Sequence, residues 1–262
     1  MKKMTALLLA VLMVLSMAAC ASKPAEESDL AYIQDKGTLV VGITDFAPMD
    51  YQNESGEWVG FDADLAKAFA DSLGVKVEFV EIVWDNKVLE LDSKTIDCVW
   101  NGMTLTSEVT SAMACSNAYC NNAQVVVVKA DVADQYQTVE SLSDLAFAVE
   151  AGSAGEAAIE GDENLAQADY VSKSVQTDCL MEVAAGTADA AVLDLTLANA
   201  MIGEGTDYAD LKIVDELNAE EYGVAFRKGS DAAAAVDEAF DALKADGTMQ
   251  ALADQYDLAL AD

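Results

Sequence analysis

The sequence has no histidine, a single arginine and only two prolines among its 262 residues. The absence of histidine excludes Ser-His-Asp and Cys-His catalysis and any His-ligated metal site. Only 14 Lys and Arg stand against 47 Asp and Glu, giving a net charge of −33. Binding to a phosphate backbone needs clustered cationic residues, so nucleic-acid binding is excluded. A hydrophobic content of 53% nevertheless predicts a globular chain with a substantial core.

The amino terminus has the pattern of an export signal. Residues 1–3 are basic at two positions, residues 6–15 are apolar, and two alanines precede Cys20. This apolar stretch is too short for a membrane span and is typical of a secretory signal peptide. The segment resembles a bacterial lipoprotein signal, which implies lipidation of Cys20 and attachment to the outer face of the cytoplasmic membrane, the periplasmic side where an outer membrane exists. The alternative is ordinary cleavage after Ala21.

Four further cysteines follow the signal, namely Cys98, Cys115, Cys120 and Cys179. An exported domain can pair four cysteines in three ways. Cys98 lies in an apolar run typical of a buried thiol, and we favour free thiols for all four. No CxxC pair exists, because Cys115 and Cys120 are five positions apart, so we predict no metal site.

Apolar runs and helical repeats alternate along the chain. Strands are predicted at 39–43, 75–79, 96–100, 124–128, 147–149, 169–172, 188–193, 211–214 and 222–228. Helices are predicted from 61 to a stop at Gly74, from 153 onward, and over 177–185, 195–202, 231–245 and 247–256. Strands that alternate with helices predict parallel sheets covered on both faces. Two such blocks with a C-terminal remainder predict an α/β protein of two lobes.

A series of short motifs runs in order through both blocks. They include Gly-Phe-Asp-Ala-Asp-Leu-Ala at 60–66, Gly-Met-Thr-Leu-Thr at 102–106, Val-Glu-Ala-Gly-Ser at 149–153, Gly-Thr-Ala-Asp-Ala-Ala-Val-Leu-Asp at 186–194 and Tyr-Gly-Val-Ala-Phe-Arg-Lys-Gly at 222–229. Together they resemble the amino-acid type of bacterial extracellular solute-binding proteins, family 3. The resemblance covers about residues 36–258, nearly the whole chain after the signal.

This resemblance implies the two-lobed periplasmic-binding-protein fold, type II. Each lobe is then a mostly parallel sheet flanked by helices, and two strands cross between the lobes, here near 128–131 and 217–222. The implied organisation is a signal peptide at 1–19, lipidated Cys20 and a flexible tether at 20–35, the first lobe at 36–129 and 219–262, and the second lobe at 130–218. Such proteins enclose a solute by a hinge motion and present it to an ABC-type importer.

The resemblance also implies a ligand site between the lobes. Asp194, which ends an apolar strand, takes the position of the carboxylate that binds an α-ammonium. Trp84 and Phe46 take the positions of aromatics that pack on the ligand. Ser153 and the amides after Gly152 lie at a strand-to-helix turn, where an anion is favoured. The alternatives are helix capping for Asp194 and Ser153, and core packing for Trp84 and Phe46.

One position departs from the family pattern. Val109 stands where an arginine usually grips the ligand carboxylate, and Arg227 belongs to a strand remote from the cleft. We therefore expect Lys87 to substitute, together with hydroxyl groups, although an ordinary solvated lysine is the alternative. The full predicted ligand set is Phe46, Trp84, Lys87, Gly102, Thr104, Thr106, Ser153 and Asp194.

The sequence thus predicts a lipid-anchored, monomeric binding protein without cofactor or catalysis. Its ligand is a polar amino acid or close analogue, delivered to the permease subunits of an ABC transporter. Asp194, with Glu150 and Asp45 nearby, favours neutral or cationic ligands over acidic ones. The alternatives are a cyclohexadienyl or arogenate dehydratase on the same fold, and a ligand-sensing partner of a membrane signalling protein.

Overall fold

The computed structural model describes residues 28–136 and 138–261. The predicted signal peptide at 1–19, the lipid attachment at Cys20 and the start of the tether lie outside the described residues. None of the helices in the described ranges has the length and hydropathy needed to cross a membrane.

Apolar runs form the strands, and segments of helical periodicity form the helices. The strands are β1 (Thr38–Ile43), β2 (Tyr51–Gln52), β3 (Trp58–Val59), β4 (Lys76–Glu81), β5 (Cys98–Thr104), β6 (Ala114–Cys115), β7 (Cys120–Lys129), β8 (Phe147–Glu150), β9 (Tyr170–Lys173), β10 (Ala190–Asp194) and β11 (Leu211–Phe226). The helices are α1 (Asp29–Lys36), α2 (Phe61–Leu73), α3 (Lys87–Asp92), α4 (Ser107–Ala112), α5 (Ala154–Gly161), α6 (Gln176–Ala185), α7 (Leu195–Met201), α8 (Ala232–Ala245) and α9 (Thr248–Tyr256), with 3-10 turns at Trp84–Asn86, Ala133–Gln135 and Val139–Leu142.

Two long antiparallel strands connect the two halves of the main sheet, whose order is β4-β1-β5-β11-β7-β10-β8-β9. β7 and β11 pair from Lys129 opposite Leu211 to Cys120 opposite Tyr222. In the first lobe β1 runs parallel to β4 and β5, and in the second lobe β8 runs parallel to β9 and β10. This confirms the predicted two-lobed α/β fold with two crossing strands.

The first crossing comes earlier than predicted. Residues 124–128 already pair with β10 of the second lobe, whereas the prediction put the crossing near 128–131 and kept the chain in the first lobe as far as 129. The run of valines there carries a strong strand signal, but an apolar run does not reveal which neighbour it pairs with. The strand pairing moves this lobe boundary toward residue 124.

β11 is one strand where the sequence predicts two, at 211–214 and 222–228. The intervening residues 215–221 are mostly acidic and polar, so no apolar alternation marks them as a strand. They are held instead by hydrogen bonds to β7, with irregularities in register near Ile213 and Glu216. The second crossing strand is therefore stabilised by its partner rather than by burial of its own side chains.

The predicted tether at 20–35 is helical from Asp29 onward. Ser28 caps α1, since its hydroxyl accepts a hydrogen bond from a backbone amide of the first turn. Ile33 is fully buried, and the Asp29 carboxylate accepts hydrogen bonds from Nε and Nη2 of Arg227 at 2.8–3.1 Å. Tertiary contacts thus order a segment whose composition is that of a flexible linker.

The core of the first lobe is aromatic. Trp100 is completely buried and packs against Phe69 and Phe240, with ring centroids 6.1 and 5.6 Å apart. Trp100 therefore belongs to the core rather than to the cleft. The four cysteines of the described residues are unpaired thiols, and Cys98 is fully buried beside this core.

Candidate functional site

A cavity of about 350 Å³ lies between the two lobes. Its wall includes residues from β5, from the turn before α3, from the turn before α5 and from the end of β10. All of the predicted ligand residues line it, namely Phe46, Trp84, Lys87, Gly102, Thr104, Thr106, Ser153 and Asp194. The structure therefore brings together, from separate parts of the sequence, all the residues of the predicted ligand set.

Asp194 presents its carboxylate at the carboxyl end of β10, where parallel α/β sheets commonly bind ligands. Oδ1 accepts hydrogen bonds from the Tyr222 hydroxyl at 2.7 Å, from Gln124 Nε2 at 3.0 Å and from Asn122 Nδ2. Oδ2 accepts from Gln176 Nε2. The side chain does not bond the backbone of the helix that follows, so helix capping is not its role.

A second carboxylate, Glu220 on β11, shares the donors of Asp194. Glu220 Oε1 accepts from Asn122 at 2.6 Å, from Gln124 at 2.8 Å and from the Thr104 hydroxyl at 2.9 Å. Burial raises the pKa of Asp194 to about 7, and the charge of Glu220 adds to the rise. A positive group bound in the cavity would favour the ionised form, so the site is suited to an ammonium.

Aromatic and aliphatic side chains form one wall of the cavity. Phe46 and Trp84 are 3% and 7% exposed, so they are buried and also line the cleft. Gly102 has a φ of +57°, and a Cβ there would lie 2.5 Å from a ring carbon of Phe46. Val109 and Met113 continue the apolar surface. This wall suits the aliphatic or aromatic part of a ligand.

Lys87 extends from the first lobe to the second. Its Nζ donates to the Gly152 carbonyl at 2.9 Å and to the Trp84 carbonyl at 3.3 Å, and it lies 5.0 Å from the centroid of the Trp84 ring system. Burial lowers the pKa of this ammonium. Lys87 is therefore not a solvated surface lysine, and two carbonyls already occupy part of its donor capacity.

Hydroxyl groups at two helix starts face the same space. The Ser153 oxygen accepts from the amide of Glu156 at 3.1 Å, and the Thr106 oxygen accepts from the amide of Val109 at 3.1 Å. Both cap their helices, and each O–H is free to donate to a ligand as well. The Gly152 amide is occupied, because it donates to the Glu156 carboxylate at 2.7 Å.

The cavity is strongly acidic. Among the described residues, six carboxyl side chains and one lysine line it: Asp85, Glu108, Glu150, Glu156, Glu160, Asp194 and Lys87. Asp45, which the sequence places in the cleft, is exposed and lies outside the cavity lining. No group of three or more Cys, Asp or Glu in the described ranges is arranged to hold a metal ion.

The sequence profile of the bacterial extracellular solute-binding proteins, family 3, matches residues 39–259. The chain belongs to this family. It is 28% identical over 235 residues to the L-cystine-binding protein TcyJ of Escherichia coli K12, covering 88% of this chain and 87% of TcyJ.

Two solved structures of binding proteins are similar across most of the chain. One is the ancestral amino-acid-binding protein AncCDT-1, described as a precursor of cyclohexadienyl dehydratase, with a TM-score of 0.79, 34% identity and coverage of 87% of this chain and 99% of that one. The other is an ABC uptake transporter substrate-binding protein from Streptococcus pneumoniae with bound histidine, with a TM-score of 0.80, 28% identity and coverage of 88% and 97%.

The predicted ligand set of this family 3 protein does not include the polar side chains that surround Asp194. Asn122 and Gln124 do carry a signal, because they come just before the run of four valines in the same strand and a buried amide must find a partner. Gln176 at the start of α6 and Glu220 on the crossing strand carry none. Only the packing of distant strands and helices brings these two residues to the carboxylate.

Proposed function

We propose that the protein captures a small amine-bearing solute, a neutral or cationic amino acid or close analogue, and presents it outside the membrane to an ABC-type importer. The observation that carries this proposal is the buried Asp194 carboxylate at the floor of a cavity enclosed by two lobes. The proposal includes a lipid anchor at Cys20 and a monomeric state.

Each part of an amino acid has a matching surface in this cavity. The α-ammonium is assigned to Asp194, where charge and hydrogen bonding act together. The side chain is assigned to the face of Trp84 and the adjoining Phe46. The carboxylate is assigned to the Ser153 and Thr106 hydroxyls and to the remaining N–H of Lys87, because Val109 provides no charge.

Replacing Lys87 with alanine tests the carboxylate assignment. A hydrogen bond to a charged group is worth about 1.5–3 kcal/mol, so affinity for a free amino acid is expected to fall roughly ten- to a hundredfold. Affinity for the carboxamide of the same amino acid is expected to change much less, which separates the lost charge from a general effect on the lobes. Isothermal titration calorimetry measures both, with exposed Lys76→Ala as the control. Unchanged affinity for the free amino acid would remove Lys87 from the site.

Gly152 is placed to permit closure of the lobes. It has a φ of +68°, and a Cβ there would lie 2.6 Å from Asp85 Oδ1 and 3.0 Å from Asp85 Cα. Asp85 belongs to the first lobe and Gly152 to the second, so a methyl group at this point opposes their contact.

Gly152→Ala is accordingly expected to weaken ligand binding about tenfold or more. It is also expected to reduce the ligand-induced compaction seen by small-angle X-ray scattering. Gly161→Ala on the same lobe, where a Cβ meets nothing within 4 Å, is the matched control and keeps the parent behaviour. If Gly152→Ala compacts and binds as the parent does, this contact does not limit closure.

We place this binding role ahead of dehydratase activity on the same fold. The similarity to an amino-acid-binding precursor of a dehydratase supports a binding function. The apolar Val109 also leaves the cavity without a guanidinium for a substrate rich in carboxylates. Incubation with prephenate or arogenate is expected to give no turnover, whereas release of the dehydrated product would support an enzyme.

A further inference from the structure

Glu150 lines the cavity, but no part of the bound amino acid is assigned to it in the proposed function. It ends β8, the strand next to β10 and parallel to it, so it lies at the same sheet edge as Asp194. Its side chain is only 3% exposed. Its Oε1 has no hydrogen-bond partner among the described residues, although the residue lines the cavity.

A buried carboxyl oxygen without a hydrogen-bond partner is costly unless something binds it. Burial raises the pKa of Glu150 to about 8, and the charge of Asp194 adds to the rise, while Gln176 and Lys87 oppose it. Lys87 does not satisfy Oε1, because its hydrogen bonds go to the Gly152 and Trp84 carbonyls. The missing partner is therefore a donor, and a cation fits best.

We propose that Glu150 is a second cation subsite, so that the preferred ligand is a compact dication with one positive group at Asp194 and the other at Glu150. Neighbouring strands lie about 4.8 Å apart, so two carboxylates at their ends are within reach of one small molecule. The inference rests on the proposed function and narrows it to diamino acids and their guanidino relatives.

The surrounding charges support this assignment. Among the described residues, one lysine and six carboxyl groups line the cavity, and that lysine already donates hydrogen bonds to two carbonyls. A second positive charge on the ligand is attracted by this field, whereas a neutral side chain of the same shape gains nothing from it. Specificity then arises from leaving a buried carboxyl unpaired when a neutral ligand binds.

The test uses two pairs of ligands of similar shape, ornithine with norleucine and arginine with citrulline. Calorimetric titration of the parent protein is expected to favour the charged member of at least one pair by tenfold or more. Glu150→Gln replaces the carboxyl by a neutral group of the same shape, and the preference is expected to fall to about twofold or less. Glu163→Gln, an exposed carboxyl of the same lobe that does not line the cavity, is the matched control and keeps the parent preference.

The outcomes separate this inference from the proposed function. Equal binding of charged and neutral members by the parent, or a preference that persists in Glu150→Gln, overturns the second subsite while the amine-binding function stands. Binding of none of the four compounds, together with no binding of other amino acids, overturns the proposed function and this inference with it.

Discussion

Replacing Asp194 with asparagine is expected to lower the affinity for an amine-bearing ligand by roughly thirtyfold or more. Truncating one partner of a buried, hydrogen-bonded charge pair costs about 2–5 kcal/mol, which corresponds to this range. Asparagine keeps one acceptor oxygen for Tyr222 and the surrounding amides, so the fold is expected to survive. The loss of affinity is then due to the missing negative charge rather than to unfolding. Isothermal titration calorimetry of parent and variant with the same ligand measures it.

The control for this experiment is Asp169→Asn, which removes an exposed carboxylate from the same lobe. It changes the net charge identically and is expected to leave the affinity unaltered. Thermal unfolding of Asp194→Asn confirms that the variant is folded. A folded Asp194→Asn that binds within threefold of the parent would remove Asp194 from the ligand site.

Replacing Arg227 with methionine is expected to produce the largest loss of stability. Arg227 is only 8% exposed. Its Nε and Nη2 donate hydrogen bonds to the Asp29 carboxylate, and its Nη1 donates to the Ile96 carbonyl at 2.8 Å. The guanidinium also lies 3.5 Å from the buried carboxylate of Asp97. Its removal leaves two carboxylates without this partner. Breaking a buried ion pair costs about 3–5 kcal/mol. The melting temperature is then expected to fall by roughly 6–20 °C.

The neighbouring residue provides the control for this substitution. Lys228 is exposed and donates to the Ser111 carbonyl, so Lys228→Met removes the same charge with little effect on unfolding. Circular dichroism on heating compares the variants. A fall of less than 2 °C for Arg227→Met would mean that α1 is held by packing around Ile33 rather than by the ion pair.

The lone arginine links composition to the site. Arg227 anchors α1 to the first lobe near the amino end of β5, and it is not among the residues that line the cavity, so it is not available to a ligand carboxylate. Val109 stands at the position where family members usually have an arginine that binds the ligand carboxylate, and here it forms part of the apolar wall. We therefore propose that a ligand carboxylate in the cavity depends on hydroxyl groups and on Lys87.

Much of the fold could be predicted from the sequence because its elements carry strong local signals. Helix α2 repeats aromatic and aliphatic residues on one face and stops before Gly74, and β10 is apolar along its length up to Asp194. Helix α1 and the middle of β11 carry no such signal. Both are ordered by distant partners, Arg227 in one case and β7 in the other.

The features of the site also differ in whether the sequence predicts them. Residues that the family resemblance assigns to the ligand site, such as Trp84 and Ser153, could be placed in the cleft from the sequence. The hydrogen-bonding of Asp194 could not, because Gln176 and Glu220 reach it only through tertiary pairing of separate strands and helices. The sequence likewise predicts Lys87 in the cleft, but it does not predict the hydrogen bond to the Gly152 carbonyl, because that bond depends on how the two lobes meet.

The central claim is that the cleft recognises its ligand by a positively charged amine. The most direct test is thermal unfolding of the purified protein with a panel of amino acids, each paired with its deaminated carboxylic acid. At a ligand concentration about 100 times the dissociation constant, binding adds roughly 2.7 kcal/mol and raises the melting temperature by about 5–10 °C. The account predicts that at least one amino acid, with the cationic ones foremost, produces this rise and that its deaminated partner does not. Equal rises from both members of a pair, or from deaminated acids alone, would contradict it.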